Sequence, residues 1–227
     1  MINNLKNVRK ISALLILFVT LQTLLYAQQG PLQEAGPFRQ PDLVEITKLD
    51  PTIHLDIRYA TKNNFLGRHV YKQARAFLQR PAAEALVRVS KALAKQGYGL
   101  AVFDGYRPWA VTKIFWDVTP ADKKEFVADP SKGSRHNRGC AVDLTMYDLK
   151  NGQEVKMPSD YDEMTERAAI NYACATPEAK RLRDMLRAAM EAEGFNVYEP
   201  EWWHYDYKEW REYPILNVSF QKLGRKE

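Results

Sequence analysis

Two short stretches that lie far apart in this chain carry the residue types of one metal site. The first contains His136 and Asp143, and the second contains Glu201 and His204. Two imidazoles and one carboxylate make a three-ligand zinc set that leaves a fourth tetrahedral position for water, and a Glu three residues before the second His is placed to act as a general base. The pattern HExxH is absent, so the two histidines do not share a helical face. The fold itself must therefore bring the two stretches together.

The surroundings of His136 and Asp143 favour this interpretation over a plainer one. A single histidine in a soluble chain more often has a hydrogen-bonded structural role. His136, however, lies in a polar loop that leads into an apolar run over residues 140–146, and Asp143 interrupts that run. An unpaired carboxylate at such a position would be costly. A nearby cation is the simplest explanation.

The same residues belong to a longer pattern that resembles a known family. The pattern is Ser134-x-His136-x-x-Gly139-x-Ala141-x-Asp143 with Glu201-x-x-His204. It resembles the paired motif of the D-Ala-D-Ala metallopeptidases, which include carboxypeptidases, dipeptidases and relatives of the hedgehog signalling domain, and it is most similar to the VanX-type D-alanyl-D-alanine dipeptidases. Three further stretches carry the likeness: Tyr59-Ala60-Thr61-x-x-Asn64-Phe65, Asp104-Gly105-Tyr106-Arg107-Pro108, and Met157-x-Ser159-x-Tyr161-Asp162-x-Met164-x-Glu166-Arg167.

The resemblance implies an enzyme that hydrolyses the D-Ala-D-Ala dipeptide to free D-alanine with one Zn²⁺ ion per chain. A guanidinium held at a turn suits a developing oxyanion, and a carboxylate suits a substrate ammonium. The implied roles are metal binding by His136, Asp143 and His204, general base catalysis by Glu201, oxyanion stabilisation by Arg107, and binding of the substrate ammonium by Asp162, Tyr59 and Ser134.

Several of these residues also have plainer interpretations. Arg107 has the alternative of a surface or capping arginine, and Asp162 that of an ordinary loop carboxylate. Glu201 has the alternative of an ion-pair partner, but the two tryptophans that follow it predict an apolar setting that raises its pKa. Trp202 and Trp203 are expected to be core aromatics that wall the pocket and exclude water.

Two arginines and two cysteines near the motif have less definite roles. Arg135 and Arg138 flank His136, and we expect them to support the ligands or to lie at the surface. Cys140 is a formal zinc ligand candidate, but a small buried residue or half of a disulfide is the better prediction. A bridge between Cys140 and Cys174 is permitted in an oxidising compartment.

The N-terminus predicts export to the periplasm or the extracellular space. Residues 1–10 carry three basic residues and no acid, and residues 11–25 are almost wholly apolar, ahead of a cleavage site after Ala27. An uncleaved anchor is the alternative, but the apolar run is shorter than the ~20 residues that span a bilayer. The predicted division is a signal peptide (1–27), an extended leader (28–41) and a zinc dipeptidase domain (42–227).

Charge narrows the choice of partners. The net charge of +5 falls to +2 in the mature chain, because the signal peptide carries three basic residues and no acidic ones. The chain has no block of Lys and Arg with interleaved aromatics, so we expect no nucleic-acid partner. We expect a small dipeptide substrate and no stable membrane association after cleavage.

The pattern of predicted elements favours an α+β fold in a single domain. Strands and helices do not alternate as regular βαβ units, which favours helices packed on an antiparallel central sheet, as the resemblance also implies. The predicted strands are residues 53–59, 98–103, 140–146 and 195–198; the predicted helices are residues 81–96, 109–118 and 177–193.

Two rival functions remain at this point. A D,D-carboxypeptidase or endopeptidase that acts on intact peptidoglycan would share the zinc motif but would need an open cleft. A non-catalytic zinc-bearing or wall-binding module would not need both Glu201 and Arg107, and their joint presence argues against it.

Overall fold

The computed structural model describes residues 30–31, 33–173 and 176–223. The predicted signal peptide with its cleavage site, and Cys174 of the predicted disulfide, lie outside the described residues. In the described ranges no helix is both long enough and apolar enough to cross a membrane.

The strands and helices are numbered in chain order. The strands are β1 (Leu43–Glu45), β2 (His54–Leu55), β3 (Phe77–Gln79), β4 (Tyr98–Asp104), β5 (Ala141–Asp148), β6 (Phe195–Tyr198) and β7 (Glu201–Tyr207). The helices are α1 (Ile46–Leu49), α2 (Arg80–Ala94), α3 (Trp109–Val118), α4 (Pro177–Ala192) and α5 (Phe220–Leu223).

A five-stranded sheet forms the centre of the fold. Its strand order is β2-β4-β5-β7-β6, and a separate two-stranded sheet pairs β1 with β3. All neighbours in the central sheet are antiparallel except β2 and β4, which are parallel. Helices α2 and α4 contact each other, and they pack on β4 and β6 respectively. The α+β prediction is confirmed, with one parallel strand at the edge of the sheet.

Most of the predicted elements are present, and the short elements β1, α1, β3 and α5 were not predicted. Helix α3 has the predicted bounds, and α2 begins with Pro81 in its first turn, a position where proline is tolerated. The predicted strand over residues 53–59 is wrong beyond Leu55, because the chain turns into a 3-10 helix at residues 58–60 that buries Tyr59. Strand β7, which carries two of the candidate site residues, was not predicted.

The register of the central sheet places three site residues in one row. Asp104 on β4 pairs with Asp143 on β5, and Asp143 pairs with His204 on β7. Directly opposed residues of antiparallel strands point to the same face, with Cβ atoms about 4.5–5.5 Å apart. The sheet therefore gathers side chains from three strands at one place.

Candidate metal centre and active site

His136, Asp143 and His204 come together as a buried cluster. One potential ligand atom from each lies within 4.8 Å of the others. The Oδ1 atom of Asp143 is 3.3 Å from Nε2 of His136 and 3.1 Å from Nδ1 of His204. The two imidazole nitrogens are 3.2 Å apart. This is the ligand set that the sequence predicted, and the fold brings it together from a loop and two adjacent strands.

The outward nitrogens of both rings have acceptors that fix their tautomers. His136 Nδ1 donates to the backbone carbonyl of Gly105 at 2.7 Å, and His204 Nε2 donates to Asp206 Oδ1 at 3.0 Å. A ring that donates from one nitrogen presents a lone pair on the other. The two inward nitrogens and the carboxylate of Asp143 thus form a converging set of three electron-pair donors.

The chemistry of this donor set fits a metal cation. Asp143 is 2% exposed, and its Oδ1 atom is buried without a hydrogen-bond donor among the described residues. Burial favours a high pKa for Asp143, but His136 and His204 hold it well below its usual range. Burial favours a low pKa for His204, but Asp206 and Asp143 raise it well above its usual value. Asp143 is thus ionised, and the carboxylates around His204 favour a cation at this point, which a divalent metal ion would supply.

His136 reaches the centre from a tight turn. A 3-10 helix over residues 136–138 ends at Gly139, whose φ of 70° lies in the left-handed region that favours glycine. A Cβ at Gly139 would also lie 2.4 Å from a side-chain carbon of Leu43. The turn is tied to the Arg107 loop, because the backbone N–H of Arg107 donates to the carbonyl of His136 at 3.0 Å.

Glu201 lies at the start of β7, beside the metal cluster. Its Oε2 atom is 3.8 Å from Nδ1 of His204. Burial raises the pKa of Glu201 to about 7, with further raising contributions from Asp143 and Asp206. A carboxylate with a pKa in this range is suited to accept and return a proton near neutral pH.

Arg107 is buried and held in place by a carboxylate that the sequence analysis did not single out. Its Nε donates to Asp104 Oδ2 at 2.9 Å, and Tyr71 donates to the other oxygen of Asp104 at 2.9 Å. The guanidinium carbon lies 4.7 Å from the ring centroid of Phe115, and Nη2 is 3.7 Å from Asp143 Oδ2. Arg107 is therefore neither a surface nor a capping residue, and its Nη2 group faces the metal cluster.

The three residues that the resemblance assigns to the substrate ammonium all line the same cavity. The hydroxyl of Tyr59 lies 3.1 and 3.0 Å from the two carboxylate oxygens of Asp162. Burial raises the pKa of Asp162 well above its usual value, and the charges of Asp143 and Glu201 add to this. Ser134 accepts a hydrogen bond from the backbone N–H of His136 at 3.2 Å. Asp162 is thus no ordinary surface carboxylate.

The cavity itself measures about 360 Å³. Trp203 lines it, whereas Trp202 is buried and donates from its indole nitrogen to Ser159 at 2.9 Å. The other site residues on its wall are Tyr59, Arg107, Ser134, Arg135, His136, Arg138, Asp143, Asp162, Glu201 and His204.

Two residues beside the metal motif, Cys140 and Arg138, have contacts outside the metal cluster. Cys140 is buried and has no disulfide partner within the part of the chain that the structure describes. Burial raises the pKa of its thiol to about 12, and it is not part of the metal cluster. Arg138 donates to the carbonyl of Tyr213 and contacts Glu34, so its charge is paired.

Sequence reasoning missed three residues that hold the site together. Asp104 positions Arg107, Asp206 accepts from His204, and Tyr161 donates to Asp143 Oδ2 at 2.9 Å. Each lies within or next to a quoted motif. The partners of Asp104 and Asp206 are close in sequence, whereas Tyr161 bonds to a residue on another element. The signal that was available is the alternation of polar residues on β7, which places His204 and Asp206 on one face.

Comparison with known proteins agrees with this geometry. The family model described as D-ala-D-ala dipeptidase, of peptidase family M15, matches residues 39–222. The chain is 33% identical to the D-alanyl-D-alanine dipeptidase of Escherichia coli (strain K12) over 179 residues, which cover 79% of this chain and 91% of that protein. It is 37% identical to the D-alanyl-D-alanine dipeptidase of Enterococcus faecium over 189 residues, which cover 71% of this chain and 91% of that protein.

Among solved structures, the LdcB LD-carboxypeptidase aligns with a TM-score of 0.44 and 21% identity, over 76% of this chain and 71% of that chain. The family model spans most of the chain, and both dipeptidases are more than 30% identical over most of their length. The chain belongs to the D-Ala-D-Ala dipeptidase family of peptidases.

Proposed function

We propose that this protein is a zinc-dependent dipeptidase that hydrolyses D-Ala-D-Ala to free D-alanine. One observation carries the proposal: a candidate three-ligand metal cluster, a neighbouring Glu with a raised pKa, and a partly buried carboxylate for the substrate ammonium line a single cavity. The relatives named as D-alanyl-D-alanine dipeptidases support the choice of substrate.

His136, Asp143 and His204 would hold one zinc ion per chain. When bound, zinc supplies Lewis acidity, which polarises the scissile carbonyl and lowers the pKa of the attacking water. The remaining steps fall to the protein side chains.

Glu201 moves the proton. As a carboxylate it accepts a proton from the attacking water, and it then donates that proton to the nitrogen of the leaving D-alanine. One group can do both because its pKa lies near neutral pH. Trp203 on the cavity wall limits the access of bulk water, which strengthens the electrostatic interactions in the site.

Arg107 stabilises the negative charge that develops on the carbonyl oxygen. Its Nη2 group lies beside Asp143, and Asp104 and Phe115 fix the guanidinium before substrate arrives. Donors that are already oriented require no rearrangement as charge develops, which makes this type of contact effective.

Asp162, with Tyr59 and Ser134, binds the free ammonium of the substrate. A substrate ammonium favours the charged form of Asp162, and the resulting buried ion pair is a charge-assisted hydrogen bond. An acyl group at this position would leave the carboxylate without a cationic partner.

The test is a direct comparison of substrates with the zinc-loaded mature protein. We expect rapid hydrolysis of D-Ala-D-Ala, slow hydrolysis of the other three Ala-Ala stereoisomers, and little release of D-alanine from a cell-wall pentapeptide that ends in D-Ala-D-Ala. Comparable rates on the pentapeptide would favour a D,D-carboxypeptidase instead.

We further propose that the enzyme is exported and acts on dipeptide released during peptidoglycan turnover. The basic and apolar N-terminus supports this proposal. Expression of the full chain, followed by fractionation and N-terminal sequencing, tests it. A mature N-terminus at Gln28 in the periplasm or medium is expected, and a cytoplasmic full-length chain would contradict it.

A further inference from the structure

Arg135 and Asp162 both line the cavity that contains the metal cluster, and each connects to His204 through a different set of contacts. The two ring nitrogens of His204 point away from each other, Nδ1 towards Asp143 and Nε2 towards Asp206. On the Asp143 side, Tyr161 donates to Asp143, its hydroxyl contacts that of Tyr59, and Tyr59 donates to Asp162. On the Asp206 side, an ion pair leads to Arg135. The cavity thus has an acidic group beyond one side of the centre and a basic group beyond the other.

The guanidinium of Arg135 contacts Asp206 through Nε and lies over two aromatic rings, whereas its two Nη groups remain free within the described ranges. Nε lies 3.3 Å from Asp206 Oδ2, and the guanidinium carbon lies 5.0 Å from the ring centroid of Trp210 and 5.9 Å from that of Tyr198. Neither Nη group has a hydrogen-bond acceptor among the described residues, and the side chain is 38% exposed. A planar guanidinium whose two Nη groups are both free is suited to bind a carboxylate.

The other charged residues near Arg135 leave the binding of a carboxylate there favourable. Asp206 is shared between Arg135 and His204. Arg138 is paired with Glu34, and Lys132, which also lines the cavity, has no ion pair within the described part of the chain. The acids on the cavity wall other than Asp143 and Asp162 are Glu201, which lies beside His204, and the exposed Glu125.

We propose that Arg135 binds the C-terminal carboxylate of the dipeptide substrate. The inference rests on the proposed dipeptidase function and deepens it. A free dipeptide carries an ammonium at one end and a carboxylate at the other, with the scissile bond between them. If Asp162 holds the ammonium and the scissile carbonyl lies at the metal cluster, the carboxylate extends to the far side, where Arg135 lies. The enzyme would then recognise both ends of its substrate, which selects dipeptides with a free carboxyl group.

The experiment compares D-Ala-D-Ala with D-Ala-D-alaninamide, which differs only in the terminal charge. For the zinc-loaded wild-type protein we expect kcat/KM to be about 10- to 100-fold higher on the free acid, as for the loss of one charge-assisted hydrogen bond. Arg135→Gln should lower kcat/KM on the free acid by a similar factor, mainly through KM, and should lower it much less on the amide. Arg211→Gln is the matched control, because Arg211 stacks on Trp210 at 4.2 Å but is not part of the cavity wall.

Equal wild-type rates on the acid and the amide would overturn the proposal, and so would an equal loss on both substrates in Arg135→Gln. Zinc content and melting temperature show whether that variant is intact. If it is not, Arg135→Lys decides, because it keeps the cation: a retained preference for the acid supports the proposal, and a lost preference in a zinc-loaded variant contradicts it.

Failure of the proposed function gives a different result. If wild-type protein hydrolyses neither compound, the dipeptidase assignment is wrong. Calorimetric binding of the two compounds then tests Arg135 separately. If wild-type protein binds the amide more weakly than the acid, and Arg135→Gln removes that difference, the carboxylate site is supported. Equal binding of the two compounds by wild-type protein would contradict it.

Discussion

The hydroxyl of Tyr161 donates a hydrogen bond of 2.9 Å to Asp143 Oδ2, which leaves Oδ1 to face the two histidines. The same hydroxyl lies 3.3 Å from that of Tyr59, which contacts Asp162. Tyr161 therefore orients Asp143, a candidate metal ligand, and connects the candidate metal cluster to Asp162. Partners of this kind fix the direction of a ligand and tune its affinity.

Replacing Tyr161 by Phe should weaken zinc binding by about 10- to 100-fold, because Asp143 loses the donor that orients it. Competition with a chromophoric chelator measures the affinity. Tyr147→Phe is the control. Tyr147 lies on β5, as Asp143 does, but its hydroxyl donates to the backbone carbonyl of Thr52. Equal zinc affinity in Tyr161→Phe and wild-type protein would show that the hydrogen bond has no role in orienting Asp143.

Replacing any one of His136, Asp143 and His204 by Ala should lower bound zinc and activity together, since three protein ligands are needed for a catalytic zinc site. Metal analysis after gel filtration measures occupancy. His54→Ala, which changes an exposed histidine on β2, should retain both. Full occupancy in Asp143→Ala would rule out Asp143 as a ligand.

Glu201→Gln should keep zinc and lower kcat by about 10²- to 10⁴-fold, because the amide retains the shape of the side chain but cannot accept a proton. Steady-state kinetics with parallel zinc analysis separates the two effects. Glu199→Gln, on an exposed side chain two residues away, should behave as wild type. Normal turnover in Glu201→Gln would mean that Glu201 is structural.

The pH dependence of kcat/KM should have an acidic limb that reports Glu201. The base is active when deprotonated, so activity should fall as the pH drops through its pKa. Burial raises that pKa to about 7, and a bound cation favours the carboxylate, so the midpoint in the zinc enzyme should lie below 7. The limb should be absent from the residual activity of Glu201→Gln, and its persistence there would assign it to another group.

Acetylation of the amino end of D-Ala-D-Ala should make it a very poor substrate. The acyl group removes the ammonium and leaves the carboxylate of Asp162 buried without a partner, which corresponds to a loss of about 10²- to 10³-fold. Asp162→Ala should narrow the difference by weakening the free dipeptide more than the acetylated one. Equal rates on both in the wild-type enzyme would contradict an ammonium site.

Periodicity and motif spacing predicted much of this fold. Helix α4 and strand β6 are confirmed almost to the residue, because Pro177 and Gly194 mark the boundaries of a strong apolar pattern. Strand β7 was not predicted. Aromatic and polar residues alternate in it only from Trp203 onwards, so the strand pattern is short.

The site was predictable where a residue type implies its own chemistry, as for the two imidazoles and the carboxylate between them. Its supporting contacts were not. The hydrogen bond from Tyr161 to Asp143 and the ion pair between Asp206 and Arg135 depend on distances between elements that no local pattern encodes. The same holds for the positive φ of Asp162, which is 62°.

The row formed by Asp104, Asp143 and His204 across three strands limits which length changes the chain can accept. A residue inserted within β5 or β7 would turn one ligand to the opposite face of the sheet, since side chains alternate with a period of two. Insertions in the exposed turn after β5 would leave the row in place. Zinc affinity thus reports strand register. If β5 and β7 paired one residue out of register, the chain would lose metal binding while retaining most of its secondary structure.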